Sequence, residues 1–107
     1  MAVYVDKARN GFGRMVMCHM IADTPAELHA LAKTIGMQRR WYQSPEKASF
    51  PHYDLSLTRR ALAIVWGAKE ISRQELGAHM KRVKSELIGA GQTWKTAGWC
   101  LPPISIS

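Results

Sequence analysis

The side chains best suited to chemistry fall in a few short stretches. Asp6 and Asp23 each close an apolar, strand-like run, AVYV at 2–5 and MVMCHMIA at 15–22. Ligands of open α/β sheets gather at strand ends. Carboxylates placed there can hold a divalent cation or act as a general base. His19 lies in the second run, four residues ahead of Asp23, and the two are expected to face one end of the sheet. His52-Tyr53-Asp54 sets an imidazole, a phenol and a carboxylate in a row. In an extended segment His52 and Asp54 share one face and Tyr53 takes the other, a spacing that a metal or phosphate site can use. The expected catalytic groups are therefore Asp6, His19, Asp23, His52 and Asp54. The expected ligands for a divalent metal are Asp6, His19, Asp23 and Asp54. Arg39-Arg40 ahead of Trp41-Tyr42 joins phosphate-binding guanidinium groups to rings that could stack on a base. With His29 and Tyr53 they make the expected ligand-binding set.

Each of these groups also has a plainer role open to it. Asp23 precedes Thr24-Pro25 and could cap a helix, and Asp54 could do the same near Ser56. His19 and His29 could be hydrogen-bonded core histidines. One of the two arginines could face solvent while the neighbouring aromatic tucks into the core. Cys18 alternates with His19, so it should point to the opposite face as a small core hydrophobe.

The elements that must position these groups read as follows. Residues 2–5 form a first strand, and Asn10-Gly11 and Gly13 mark a loop over 7–14. Residues 15–22 form a second strand. Thr24-Pro25-Ala26-Glu27 is a capping box with proline at the first helical position. The helix that follows sets Leu28, Leu31, Ala32 and Ile35 on one face and stops at Gly36. Residues 38–42 are expected to form a short third strand, and the proline- and serine-containing stretch 43–52 a mobile loop. A second helix starts at Ser56 and runs to Trp66 with Gly67 beyond it, although the unbroken apolar run Ala61 to Trp66 is also compatible with a strand. Residues 68–71 form a brief strand. Ser72-Arg73-Gln74-Glu75 is a second capping box, opening a helix with Leu76, Met80, Val83 and Leu87 on one face. The expectation is a single small α/β domain over residues 1–90, with about four short strands in a mixed or mostly parallel sheet and about three helices. Residues 91–107, with Trp94 and Trp99, form an irregular tail packed on the domain or on a second copy of the chain.

Composition sets the outer limits. The 107 residues are 47% hydrophobic, which excludes disorder as the overall state. No apolar run approaches the ~20 residues of a membrane span, and Asp6 interrupts the N-terminus before a signal-peptide core can form. Two cysteines, Cys18 and Cys100, are too few for a disulfide framework, so the cytoplasm is the expected compartment. Fifteen basic residues against eight acidic ones leave a net charge of +7, which favours anionic partners. The positive residues are dispersed, with Arg39-Arg40, Arg59-Arg60 and Lys81-Arg82-x-Lys84 as the densest points. There is no phosphate-binding Walker loop, CxxC, HExxH or Gly-x-Ser-x-Gly motif.

VYVD at 3–6, FGRMVMCHMIAD at 12–23, ELHALA at 27–32, Gly36 with Arg39-Arg40, HYD at 52–54 and RALAIVWGA at 60–68 together carry a resemblance. In this order they resemble the phage and bacterial family known as domain of unknown function 4031, over roughly residues 2–87. The resemblance implies that Asp6, His19, Asp23, His29, Arg39 or Arg40, His52, Tyr53 and Asp54 match the family's recurrent polar positions. The stretch QSPEKASFP before His52 and the tail after residue 88 are where this chain departs from it. The family brings no activity with it, so the function has to come from the residues. They suggest a site for a phosphate-bearing ligand, nucleotide or nucleic acid, with metal-assisted phosphoester hydrolysis as its chemistry. The alternative is a non-catalytic basic protein that grips nucleic acid or a host protein through Arg59-Arg60 and Lys81-Arg82-x-Lys84.

Overall fold

Eight residues, Met15–Ala22, form the hub strand on which the domain is built. A computed structural model of the chain describes residues 2–7, 10–12 and 15–100. In chain order the strands are β1 (Val3–Asp6), β2 (Asn10–Phe12), β3 (Met15–Ala22), β4 (Tyr53–Ser56) and β5 (Lys69–Ile71). The helices are α1 (Pro25–Thr34), α2 (Leu57–Val65) and α3 (Arg73–Gly89). Met20 pairs with Val5 on one side and Tyr53 on the other, and Met17 pairs with both Asn10 and Ser56. β1 and β2 therefore share one edge of β3, and β4 holds the other. All three run antiparallel to β3, while β5 lies parallel to β1. The expected small α/β domain with a mixed sheet and three helices is what forms.

The helices begin and end where their caps lie. Thr24 Oγ1 accepts the Glu27 N–H and donates to the Glu27 carboxylate at 2.7 Å, with Pro25 opening α1. Ser72 and Glu75 make the reciprocal capping box of α3. Gly36 at φ +83° and Gly67 at φ +105° follow α1 and α2, a backbone region that glycine enters freely. The ambiguous run Ala61 to Trp66 is helical to Val65, because Ser56 caps α2 at its start.

One expectation about the middle of the chain is corrected. Residues 38–42 do not form a strand. Arg39–Trp41 is a single 3-10 turn in which the Trp41 and Tyr42 N–H groups bond back to Gln38 and Arg39. Donors spent locally in this way are not available for a sheet ladder. Residues 43–52 are the expected loop, and its two ends are tied together. Gln43 and His52 exchange backbone hydrogen bonds of 2.8 and 3.0 Å, and Ser44 and Pro51 are fully buried. This closure feeds the chain into β4, so His52 is held in a bridge and Tyr53 and Asp54 open a strand rather than a turn.

Alternation along the strands sorts the side chains between two faces. On one face Val5, Cys18, Met20, Ala22, Tyr53 and Leu55 pack against Leu28 and Ala32 of α1, Ala63 of α2 and Trp99. On the other, Ile21 and Ile71 pack against Leu76, Met80 and Val83 of α3. His19 lies on this second face, two residues before Ile21, and its side chain stays 21% exposed.

A candidate metal centre on the sheet

The polar groups on that second face line up across three strands. Asp6 follows Val5, the partner of Met20, and so lies beside His19; on the other edge of β3, His19 pairs directly with Asp54. Asp6 has no exposed side-chain surface and accepts two hydrogen bonds from His19: the backbone N–H at 2.8 Å and ring Nδ1 at 2.7 Å. His52 enters from the Gln43–His52 bridge, with Nδ1 2.9 Å from the Phe50 carbonyl. The Phe50 ring packs on both imidazoles, 4.5 Å from His52 and 5.6 Å from His19 between centroids.

The partners decide where the ring hydrogens are. A carboxylate and a carbonyl only accept, so Nδ1 of both His19 and His52 carries the hydrogen, and in the neutral rings both Nε2 atoms present lone pairs. Both Nε2 atoms face one carboxylate oxygen, Asp54 Oδ1, at 3.9 Å from His19 and 3.3 Å from His52. The three side chains can each place a ligand atom within 4.8 Å of the others. Three acceptors thus converge on one point. A proton could bridge two of them; a cation satisfies all three. Ligand atoms around a four- or six-coordinate ion with bonds of about 2.0–2.2 Å stand roughly 3–3.5 Å apart; the His52–Asp54 pair at 3.3 Å has this spacing, and the His19–Asp54 pair at 3.9 Å is wider and would have to draw in around an ion. When the His52 ring is protonated its Nε2–H donates to Asp54, and this hydrogen bond, with smaller effects of the His52 and His19 charges, holds the Asp54 carboxyl below the usual carboxylate range despite its partial burial; the neutral rings are the form that offers lone pairs to a metal.

The remaining expected site residues go elsewhere. Asp23 does not join the cleft, because four residues of strand carry it ~13 Å along β3. There its carboxylate accepts from Ala2 N–H, the Tyr4 hydroxyl and His79 Nε2, the last at 2.8 Å. Burial opposes its ionisation, but these hydrogen bonds outweigh the penalty and lower its pKa. His29, Arg39 and Tyr53 meet one another on the opposite face of the sheet. Arg40 is exposed on the 3-10 turn. Arg39 and Arg40 are therefore not the arginines of the Asp/His cleft. Cys18 is buried on the face away from His19, as its alternation implies.

Residues 3–83, more than half of the chain, match the family described as "Protein of unknown function (DUF4031)". The chain belongs to that family. No curated protein and no solved structure matches it. His19, His52, Asp54 and the Asp6 behind them lie within the matched region, and Trp94 and Trp99 lie beyond it. Among the described residues no helix is long and apolar enough to cross a membrane.

Sequence reasoning missed three residues of these networks. By sequence Arg60 stands with Arg59 as a basic pair suited to gripping an anionic partner. Its Nε instead donates to the Asp6 carbonyl at 3.0 Å and its Nη2 to Glu70 at 2.8 Å, while Arg59 lies over the Trp41 ring. Phe50 was hidden in a loop-like stretch with no periodicity to place it. His79 had a usable signal, since it lies three residues after Leu76 on the apolar stripe of α3.

Proposed function

We propose that the cleft binds a divalent transition-metal ion through His19 Nε2, His52 Nε2 and Asp54 Oδ1, and that this centre hydrolyses a phosphoester of a nucleotide or nucleic acid. The observation that carries the reading is the convergence of three acceptor atoms whose tautomers are set from behind. Asp6 orients His19 and the Phe50 carbonyl orients His52, the outer-shell arrangement that aims imidazole ligands at a metal. Two imidazoles and one carboxylate suit first-row divalent ions and leave coordination positions open for water and substrate. Such an ion lowers the pKa of bound water from 15.7 towards about 7 and polarises a phosphoryl oxygen. Hydrolysis then forms a bond from the water oxygen to phosphorus and breaks the ester P–O bond. The departing oxygen leaves as an alcohol with a proton from the water. The phosphate half of the reading is supported by the net charge of +7 and by the exposed Lys7 directly after Asp6.

The test is calorimetric titration of the full chain with Zn²⁺, Mn²⁺ and Co²⁺, in parallel with Asp54→Ala and His52→Ala, followed by turnover assays on nucleotide and oligonucleotide phosphoesters. One ion per chain with affinity lost in both variants supports the centre, and metal-dependent turnover lost in the same variants supports hydrolysis. Absence of metal binding removes both. A second reading rests on Arg73, Lys81 and Lys84, which are exposed on one side of α3 at spacings of eight and three. Nucleic-acid affinity that falls steeply with salt and survives Asp54→Ala would favour a non-catalytic binder.

A further inference from the structure

Behind the sheet, on the face away from the His19–His52–Asp54 cleft, lies a second polar pocket. It has a volume of about 130 Å³ and is lined by His29, Lys33, Met37, Arg39 and Tyr53. The alternation of β4 creates it: His52 and Asp54 point one way and Tyr53 the other, so three consecutive residues serve two faces. His29 Nδ1 lies 2.8 Å from the Tyr53 hydroxyl, and the Tyr42 ring stands edge-on to the imidazole with centroids 4.6 Å apart. Burial, reinforced by the Arg39 charge, pulls the His29 pKa down to about 4, so the imidazole is neutral near pH 7.

Counting hydrogens shows what the pocket offers. A neutral imidazole has one N–H and a phenol one O–H. One of these hydrogens is used between Nδ1 and the hydroxyl. If Tyr53 donates, His29 Nε2–H remains; if His29 donates, the Tyr53 O–H remains. Either way one donor is left over. Lys33 and Arg39 add two positive charges, and no acidic side chain lines the pocket among the described residues. The volume is well under the roughly 300–1,000 Å³ of a site for a whole drug-sized ligand, so the fit is to one compact headgroup. A monoanionic carboxylate would leave one cation unmatched, whereas a phosphoryl dianion matches both and has oxygens for all the donors.

We propose that this pocket is an oxyanion site that takes a phosphoryl group, held by the Arg39 guanidinium and the Lys33 ammonium, with the His29–Tyr53 pair donating the remaining hydrogen. It is independent of the metal reading, because its side chains lie on the opposite face of the sheet from the ligand atoms.

The probe is inorganic phosphate, titrated at constant ionic strength into the full chain in the presence of a metal chelator. Binding is followed by calorimetry and by the ring resonances of His29 and Tyr53. Saturable shifts of the His29 ring are expected, with affinity reduced about tenfold or more in Arg39→Gln, since a charged hydrogen-bond partner is lost. A smaller loss is expected in Tyr53→Phe, weaker binding of acetate, and unchanged phosphate affinity in Asp54→Asn. Arg39 is exposed on a turn, so its variant should fold, which circular dichroism checks. A nucleoside 5′-monophosphate titrated in parallel tells whether the phosphoryl group arrives free or esterified, and tighter binding of either form supports the site. No saturation, or equal affinity in Arg39→Gln, overturns the proposal. So does phosphate binding lost in Asp54→Asn but kept in Arg39→Gln, which would place the anion in the other cleft.

Discussion

Replacing Asp6 by Asn tests the logic of the cleft without removing any of the three converging ligand atoms. Asp6 is fully buried and takes both hydrogens that His19 directs at it, one from the backbone and one from Nδ1. Asparagine has nearly the same shape. Its amide oxygen can keep the backbone N–H, but its NH₂ must then face His19 Nδ1 and donate to it. The imidazole answers by moving its hydrogen to Nε2, which cancels the lone pair aimed at Asp54 Oδ1. Losing an outer-shell partner of this kind costs about 10–100-fold in metal affinity, or roughly 1.4–2.8 kcal/mol. The fold also loses a charge-assisted hydrogen bond, about 1.5–3 kcal/mol, which leaves a folded domain to measure if stability is ordinary for its size. The assay is Zn²⁺ or Co²⁺ titration of the wild type and Asp6→Asn, with the His19 tautomer read from imidazole ¹⁵N shifts. Asp54→Asn is the control, since it changes a ligand and leaves the tautomer alone. Wild-type metal affinity in Asp6→Asn, with His19 still protonated on Nδ1, would refute the claim that Asp6 orients the ligand.

Two further outcomes follow from the packing. His29 titrates near 4 in the fold and near 6.5 when unfolded. Its folded pKa is depressed, so its contribution to stability is whole above about pH 6.5 and declines as the pH falls towards 4. The loss reaches at most about 3 kcal/mol; urea midpoints of wild type should therefore fall over that window more steeply than those of His29→Gln, and parallel curves would contradict it. Trp99 is 2% exposed in the main core, and its carbonyl accepts the Tyr42 hydroxyl. Trp99→Ala should cost about 3–5 kcal/mol in chemical denaturation, while a change under about 0.5 kcal/mol would mean that the core stands without the tail.

Much of this architecture is written in short-range signals. The Thr24 cap, the Ser72–Glu75 capping box, Gly36 and Gly67 place the helix ends, because caps satisfy backbone donors within a few residues. The period-two pattern of MVMCHMIA separates His19 from Cys18, and that of HYD separates His52 and Asp54 from Tyr53, whatever the strands pair with. What those patterns leave open is which strand lies beside which. Asp23 is expected with His19 because it closes the same strand four residues on, at one end of the sheet. β1 runs antiparallel to β3, which carries Asp6 to His19 and leaves Asp23 beside Ala2 and α3. Arg39-Arg40 looked like the cations of the Asp/His site, yet the 3-10 turn delivers Arg39 to the opposite face, and Arg60 reaches the Asp6 carbonyl from α2 instead. The sequence alone determines which atoms are available and which face of each element carries them, since those properties follow from local geometry. Only the tertiary structure decides which of them meet, because long-range pairing is selected by burial of both sheet faces together.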